Sequence, residues 1–505
     1  MKTQRTFGLE LEKPISSSIS GQPHGVSAQF FIRLKQMAAK RKQNPHFHLS
    51  DVDNKTVIGV ISKDLMEQGL DNGSNLQETA LPYTTSIDKL FAKIELDLKT
   101  VQDSLKKENA TIINFANHPL GKTDLKTYKK FVALKGIYPY IWYRGWNHAA
   151  GIDAKAQNSP TTGVNIDDAA DAVSVIIGAS AAFIGIFANS PFENGKRSNF
   201  KESRLSLWNE MMKNAKVEGD RRTVNFPNKR FHTLAQYFDW MFGQDSGIHF
   251  VLGEGNGQNY KGLGDRVLII ENSPPVLTYL SKKTWKARAL KDVLEGITEN
   301  VFIVKPNILH LEAMQFAQFT GARIRFGLKN DRFPLREFVM ACKKQNKKDV
   351  EKIFNQFANF TYIEGRDAGA NFADREILAA GEDIAKSVAI SPSALQAGLI
   401  NNLKEATSFI DSFNWNDLGK LRNEAIKNGL GGRYKNIKVY DYAKKIVEIA
   451  KKGLSASDQK YLLYIDWVLK TKKNGADRAI EFIEKQNMPF NKALLKLIKE
   501  REILL

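Results

Sequence analysis

The sequence has almost no cysteine: Cys342 is alone in a chain of 505 residues. A single thiol excludes an intramolecular disulfide and every cysteine-rich zinc module, and it is typical of proteins from a reducing compartment. The first twelve residues carry lysine, arginine and glutamate without an apolar segment, so nothing there resembles a secretory signal. These two absences predict a cytoplasmic protein.

Long hydrophobic runs are also missing. The most apolar stretch, residues 172–188, is interrupted by serine and glycine. It is shorter than the roughly 18 apolar residues that a membrane-spanning helix requires. A buried helix is therefore the favoured interpretation, and no membrane partner is expected.

Negative charge is in the minority, since 74 lysine and arginine residues face 55 aspartate and glutamate residues, giving a net charge of +19. Proteins that bind nucleic acid usually concentrate such a surplus in one patch, whereas here it is spread along the chain. A diffuse surplus is more typical of a solvated surface or of a cleft for small anions such as nucleotide phosphates. We expect no nucleic-acid partner, with RNA binding left as an alternative from another functional class.

The chain has ample apolar residues for a packed core, at 42% of the sequence. The first 85 residues read as an antiparallel meander of strands and turns, followed by a long amphipathic helix over residues 87–105. Later segments predict a helix over 167–187 and strands over 301–304, 323–327 and 360–364. From residue 391 almost every segment has a helical period. The sequence therefore predicts an α+β domain over residues 1–390 and an all-α region over residues 391–505.

The segment FGLELE places two carboxylates on one strand, at Glu10 and Glu12. Residues two apart on a strand project from the same face. Two enclosed carboxylates within about 7 Å repel each other unless one is protonated or a divalent cation holds both. Magnesium suits oxygen ligands of this kind. The alternative is an edge strand whose acidic face is wet.

Two further segments offer similar chemistry. Glu78 lies on another strand of the same meander, and Glu364 and Arg366 share one face of a later strand. A carboxylate beside a guanidinium group suits a site that must hold a cation and an anionic substrate together. The same pair is also common as a surface salt bridge, so each segment alone leaves both interpretations open.

A longer pattern is found in residues 161–208, where TTGVNIDDAADAV is followed by IFANSPFENGKRSNFKESRLSLW. This pattern resembles the core of glutamate–cysteine ligases of the plant and bacterial type, within the glutamine-synthetase-like superfamily of carboxylate–amine ligases. The segments GLELE, QET, NHPLG and YIEGRDAG are similar to further motifs of that family, in the same order.

The resemblance implies a curved antiparallel sheet of the glutamine-synthetase-like type, with helices on its convex face. It implies an enzyme that uses ATP and Mg²⁺ to ligate the γ-carboxylate of glutamate to the amine of cysteine through a γ-glutamyl phosphate. That reaction is the first step of glutathione-type thiol synthesis. The expected partners are these small molecules.

The resemblance also implies site residues. The expected Mg²⁺ ligands are Glu10, Glu12, Glu78 and Glu364. Catalysis is expected of Arg366 and Glu364, with Arg366 meeting the transferring phosphoryl group. Substrate binding is expected of Arg204, which would bind a carboxylate, and of Asn165 and Asn189. Arg325 and Lys329 resemble a basic strand of the family that contacts the nucleotide.

Two departures from the family pattern leave questions open. Relatives carry histidine or glutamine where this chain has Gly163, so the number of metal ions is not fixed by the resemblance. The connection over residues 329–360 is longer than the family's link. A different amine acceptor therefore remains an alternative to cysteine, and a non-catalytic RNA-binding protein remains a more distant one.

Overall fold

A computed structural model describes residues 5–151, 155–244, 246, 268–292, 296–315, 318–329, 332–345 and 348–504. The strands are β1 (Phe7–Ser17), β2 (His46–Leu49), β3 (Val57–Ser62), β4 (Met66–Leu70), β5 (Leu76–Ala80), β6 (Ala110–Ile112), β7 (Asn158–Gly163), β8 (Phe192–Glu193), β9 (Lys196–Arg197), β10 (Leu268–Ile270), β11 (Trp285–Asp292), β12 (Gly296–Val304), β13 (Ala322–Leu328), β14 (Ala358–Gly365), β15 (Arg433–Tyr434) and β16 (Ile437–Lys438).

The helices are α1 (Ala28–Lys40), α2 (Ile87–Lys106), α3 (Leu125–Phe131), α4 (Ile137–Tyr143), α5 (Ala169–Gly178), α6 (Ser180–Phe187), α7 (Ser203–Met212), α8 (Glu218–Arg222), α9 (Leu234–Phe242), α10 (Val276–Ser281), α11 (Ile308–Met314), α12 (Leu335–Lys344), α13 (Asp349–Phe357), α14 (Arg375–Ala380), α15 (Glu382–Ser387), α16 (Ser391–Asn401), α17 (Leu403–Asp411), α18 (Trp415–Asn428), α19 (Val439–Lys452), α20 (Leu463–Thr471), α21 (Gly475–Glu484) and α22 (Phe490–Glu500).

A large antiparallel sheet forms the centre of the molecule, in the strand order β13-β14-β7-β1-β5-β4-β3-β2, with β6 paired to the end of β1. Side chains alternate between the two faces of each strand. On β1, Leu9 and Leu11 are buried on the face that α2 and α16 cover, and Glu10 and Glu12 lie on the opposite face. The predicted α+β class with a large antiparallel sheet is confirmed.

The structure differs from the sequence-based expectation at two helices. Helix α1 interrupts the predicted meander between β1 and β2, and its apolar face buries Phe30, Phe31 and Leu34 against the core. The helix predicted over residues 167–187 is two helices, α5 and α6. Among the described residues, no single helix is long and apolar enough to cross a membrane, although the pair over 166–187, bent by 47°, meets that criterion jointly. Both helices of the pair are buried in the core.

The C-terminal region consists of helices α16 to α22 and the short hairpin β15–β16. It packs directly on the sheet domain. Gln396 of α16 donates to the Pro160 carbonyl oxygen on β7, and the Tyr442 hydroxyl donates to the Gly178 carbonyl oxygen of α5. The boundary at residue 391 stays a prediction, but the helices beyond it share one core with the sheet.

This packing predicts the effect of one methyl group. A Cβ atom at Gly398 of α16 would lie 2.3 Å from the carbonyl oxygen of Ala450 on α19, which is backbone and cannot move aside. Gly398→Ala should therefore lower the free energy of unfolding by about 1–3 kcal/mol, even though alanine favours helix. Chemical denaturation measures this change. Gly431→Ala is the control, because nothing lies within 4 Å of its Cβ position, and equal stability of the two variants would contradict the packing.

Candidate active site

The strand register brings acidic side chains together on one face of the sheet. Antiparallel pairing of β1 with β5 sets Glu12 directly opposite Glu78. Glu10, two residues before Glu12, lies on the same face of β1. Three carboxylates from segments more than sixty residues apart thus share one surface, which we call the acidic face.

Glu12 is the most enclosed of these carboxylates. It is 5% exposed, and its two oxygens accept hydrogen bonds from the backbone N–H of Gln157 at 3.0 Å and from the Gln157 side-chain amide at 3.1 Å. Burial above all, together with the negative charges of Asp71 and Glu78 and against the opposing effect of Arg366, raises the pKa of Glu12 to about 8. Glu12 is therefore poised to exchange a proton for a cation near neutral pH.

The other half of the site is basic and lies on β13 and β14. The register places Arg323 opposite Glu364. The Glu364 Oε1 atom accepts from Arg323 Nη2 and from Arg366 Nη1, each at 2.6 Å. Burial alone would raise the pKa of Glu364, but these two guanidinium groups hold it well below its usual range. Glu364 is therefore ionised across the physiological pH range.

Two cavities meet at this face. The first cavity is lined by Glu12, Arg204 and Arg366 together with apolar side chains. The second cavity is lined by Glu78, Glu364, Arg325 and residues of β3 and β4. Both cavities are lined by Glu10, Lys135 and Arg323. Two ligands bound in the two cavities could therefore bring reacting groups together at these three side chains.

The first cavity has an aromatic wall and a charged rim. Trp208 stacks on Phe319 with ring centroids 4.7 Å apart, and Trp146 meets the edge of Phe319. Arg204 is 2% exposed and is held by Glu202 at 2.8 Å from its Nε atom and by the Gln157 side-chain oxygen at 3.0 Å from Nη1. The cavity thus offers an apolar surface beside a fixed guanidinium group, which suits an amino acid.

Seven of the ten predicted site residues line these cavities: Glu10, Glu12, Glu78, Arg204, Arg325, Glu364 and Arg366. Three do not lie among the described residues that line them: Asn165, Asn189 and Lys329. Asn165 is exposed before a short helical turn, and the exposed Lys329 donates to the Gln356 carbonyl oxygen. Asn189 is fully buried among other polar groups. The roles expected of these three residues stay predictions.

Sequence reasoning missed Arg323, Lys135 and Gln157. Arg323 precedes Arg325 by two residues, so strand alternation alone indicates that both point to one face. Lys135 lies in a loop before α4, and its ammonium group donates to the carbonyl oxygens of Leu70, at 2.6 Å, and Asp71. A loop lysine without a surrounding motif gives no sequence signal, and it is placed here only by the fold.

The unusual Gly163 has a local explanation. A Cβ atom at this position would lie 2.4 Å from the hydroxyl oxygen of Thr6. Gly163 is also hydrogen-bonded to the backbone of the segment before β1, since its N–H donates to the Thr6 carbonyl oxygen at 2.8 Å. This segment occupies the space that a histidine or glutamine would need, so no side chain from this position reaches the acidic face.

The acidic face suits magnesium by its donor chemistry. Glu10, Glu12 and Glu78 offer oxygen ligands only, and a divalent cation would offset the burial and the repulsion between carboxylates that raise the Glu12 pKa. Within the described ranges, no three acidic, histidine or cysteine side chains already surround one metal position. Binding would therefore require the carboxylates to rotate toward the ion. At Glu364 only Oε2 remains for such a contact, because Oε1 accepts from two arginines.

Comparison with known proteins bears on this site. Residues 74–291 match the model of the glutamate-cysteine ligase family 2. The resemblance predicted from the sequence is confirmed, and with it the enzyme class, a ligase. The matched range contains Glu78 and Arg204, and the geometry of the sheet joins Glu10, Glu12, Glu364 and Arg366 to them from outside it.

Two solved structures are similar to this chain across nearly its whole length. One is a glutamate–cysteine ligase from Francisella tularensis in complex with AMP, 11% identical over 99% of this chain and 89% of that chain, with a TM-score of 0.48. The other is a bifunctional glutathione synthetase from Pasteurella multocida, 12% identical over 99% of this chain and 51% of that chain, with a TM-score of 0.42. A comparison with curated protein sequences gave no match.

The raised pKa of Glu12 predicts a pH-dependent stability for this protein. Between the ordinary pKa of 4.5 and about 8, the folded protein keeps a proton that the unfolded chain releases. Stability must therefore fall as pH rises through this window, by on the order of 1 kcal/mol per pH unit. The glutamine side chain in Glu12→Gln cannot ionise. Without Mg²⁺, the melting temperature of this variant relative to that of wild type should therefore increase as pH rises from 5 to 8.5.

Thermal melts at several pH values without divalent cations measure this effect. Glu484→Gln is the control, because the Glu484 side chain is 57% exposed in a surface pair with Arg197. A Glu12→Gln variant whose difference from wild type is the same at pH 5 and pH 8.5 would show that Glu12 is not the buried, protonated group described.

Proposed function

We propose that this protein is an ATP-dependent ligase that joins the γ-carboxylate of glutamate to the amine of cysteine. The observation that supports this most is the meeting of two cavities at Glu10, Lys135 and Arg323, between an acidic face and a cluster of guanidinium groups. One cavity can take a nucleotide and the other an amino acid. The reacting phosphoryl and carboxylate groups would then meet where the two cavities join.

The reaction needs ATP because a carboxylate is a poor electrophile. An oxygen of the glutamate γ-carboxylate would attack the γ-phosphorus, the bond to ADP would break, and a γ-glutamyl phosphate would form. The acceptor amine would then attack the acyl carbon and lose a proton, and phosphate would leave. No covalent bond to the protein is required. The protein contributes positioning and electrostatic stabilisation.

The described side chains have clear places in this scheme. Arg366 and Arg323 are held by Glu364 and would stabilise the charge that grows on the phosphoryl oxygens. Arg204, at the wall of the first cavity, would bind the substrate carboxylate. The second cavity, with Arg325, would take the nucleotide. Glu10, Glu12, Glu78 and Glu364 would hold Mg²⁺, which when bound neutralises crowded phosphate oxygens.

A different amine acceptor remains a second candidate for one structural reason. The first cavity is walled by Trp146, Trp208 and Phe319, which offer far more apolar surface than a thiol side chain needs. An acceptor with a larger apolar side chain would fill this wall better. The cytoplasmic location also stays a prediction.

The proposal is tested by ADP formation from ATP, Mg²⁺ and glutamate, with and without cysteine. We expect cysteine to stimulate ADP release and a γ-glutamyl peptide to accumulate in equal amount. The same assay with a panel of apolar amino acids and simple amines separates the two candidates. Turnover with an apolar amine but not with cysteine would exclude the first candidate, and no glutamate-dependent ADP release with any amine would exclude both.

Arg366 gives the sharpest variant. Arg366→Lys keeps the charge but loses the planar guanidinium group, whose Nη1 atom donates to Glu364 and whose Nε atom donates to the Phe319 carbonyl oxygen, so kcat should fall about 10²–10³-fold with the fold intact. Arg375→Lys is the control, because that arginine is an exposed member of a surface pair with Glu500. Steady-state kinetics measure both variants. A kcat equal to that of wild type in Arg366→Lys would contradict the catalytic role proposed for Arg366.

A further inference from the structure

An unbroken chain of polar contacts connects the end of the last helix to the acidic face. Arg501 follows α22, and its Nη1 atom donates to the Asn189 side-chain oxygen at 2.8 Å. The Asn189 backbone N–H donates to Glu202 Oε2 at 2.8 Å. Glu202 Oε1 in turn accepts from Arg204 Nε at 2.8 Å.

The chain continues from Arg204 to the predicted metal ligand. Arg204 Nη1 donates to the Gln157 side-chain oxygen at 3.0 Å, and Gln157 donates to both oxygens of Glu12. The six members of this chain, which we call the buried relay, are Arg501, Asn189, Glu202, Arg204, Gln157 and Glu12. Each is at most 5% exposed. Water has little access to replace a lost partner, so each contact constrains the next.

The surroundings of Asn189 show how closely this relay is packed. The Asn189 amide nitrogen donates to Asn114 and to the Ala370 carbonyl oxygen. A Cβ atom at Gly475, the first residue of α21, would lie 2.3 Å from the Asn189 side-chain oxygen. Arg501 spans both groups, since its Nη2 atom donates to the Gly475 carbonyl oxygen at 2.6 Å. Asn189 is thus fixed from three directions.

We propose that Arg501 and Asn189 are positioning residues that hold Glu202, and through it the substrate-binding guanidinium group of Arg204. This inference rests on the proposed function, because it takes Arg204 as the group that meets the substrate carboxylate. Asn189 then acts from behind the cavity wall without touching substrate. The C-terminal helices, whose purpose the sequence does not reveal, complete the amino-acid side of the site.

The relay meets the amino-acid cavity at Arg204, Gln157 and Glu12, which line the first cavity and not the second. Loss of Arg501 should therefore raise KM for glutamate by about tenfold or more while KM for ATP changes by less than about threefold, since a misplaced buried ion-pair partner weakens binding at one site.

The experiment compares Arg501→Met, Arg501→Lys and Arg478→Met in the full chain. Lysine restores the charge and one donor, so Arg501→Lys should recover part of the loss. Arg478 is the matched control: it is 4% exposed, also lies in the C-terminal helices, and contacts Tyr464 and the Lys473 carbonyl oxygen outside the relay. We expect its removal to lower the melting temperature without a selective rise in KM for glutamate.

Equal effects of Arg501→Met and Arg478→Met on both KM values would overturn the proposal, as would an unchanged KM for glutamate in a folded Arg501 variant. Should Arg501→Met fail to fold, Arg501→Lys decides by the same criterion.

A second measurement does not depend on the reaction. In melts of Arg501→Lys, Glu202→Gln and the double variant, the relay predicts that the two losses in melting temperature are not additive. Additive losses would overturn it even if the wild-type protein proved inactive. If the wild-type protein proved inactive but the losses in melting temperature were not additive, the proposed function would be contradicted and the relay would be supported.

Discussion

The pairing register of the central sheet is the constraint on which the site depends. A slip of one residue moves every side chain to the opposite face. In the observed register Glu12 lies opposite Glu78, and Arg323 lies opposite Glu364. The next residue of β1, Lys13, is completely buried on the other face, where its ammonium group lies 2.8 Å from Asp97 of α2. A slipped β1 would bury Glu12 beside Asp97 and expose Lys13 to the cavity, and both changes are unfavourable.

Charge balance explains how so many ionisable groups are tolerated at low exposure. Burying an unpaired charge is costly, and even a paired one adds little net stability. Here the carboxylates on β1 and β5 face guanidinium groups from β13 and β14, while Glu12 avoids the cost by binding a proton. The arrangement is poorly suited to stability and well suited to receiving a cation and anions together. We therefore interpret it as a functional constraint on the fold.

Much of the site could be predicted from the sequence because strand alternation is a local rule. The segments around Glu10, Glu78 and Glu364 each predicted a strand with a polar face, and the sheet places these strands with their polar faces on the same side. Helix α1 was missed although its buried residues, Phe30, Phe31, Leu34 and Ala38, recur at helical spacing. The contact between Asn189 and Arg501 could not be predicted, because the two residues are 312 apart in sequence and no local pattern indicates such a contact. Lys135 belongs to the same class, since only the packed loop brings it to the cavities.

We propose that the acidic face and the guanidinium groups beside it bind the substrates so that a carboxylate is phosphorylated. The most direct test uses glutamate whose γ-carboxylate oxygens are labelled with ¹⁸O, incubated with ATP, Mg²⁺ and the amine acceptor, followed by mass spectrometry of the released phosphate. The account predicts one ¹⁸O atom per phosphate, because the carboxylate oxygen that attacks the γ-phosphorus leaves with it. Phosphate that carries only unlabelled oxygen would contradict the account.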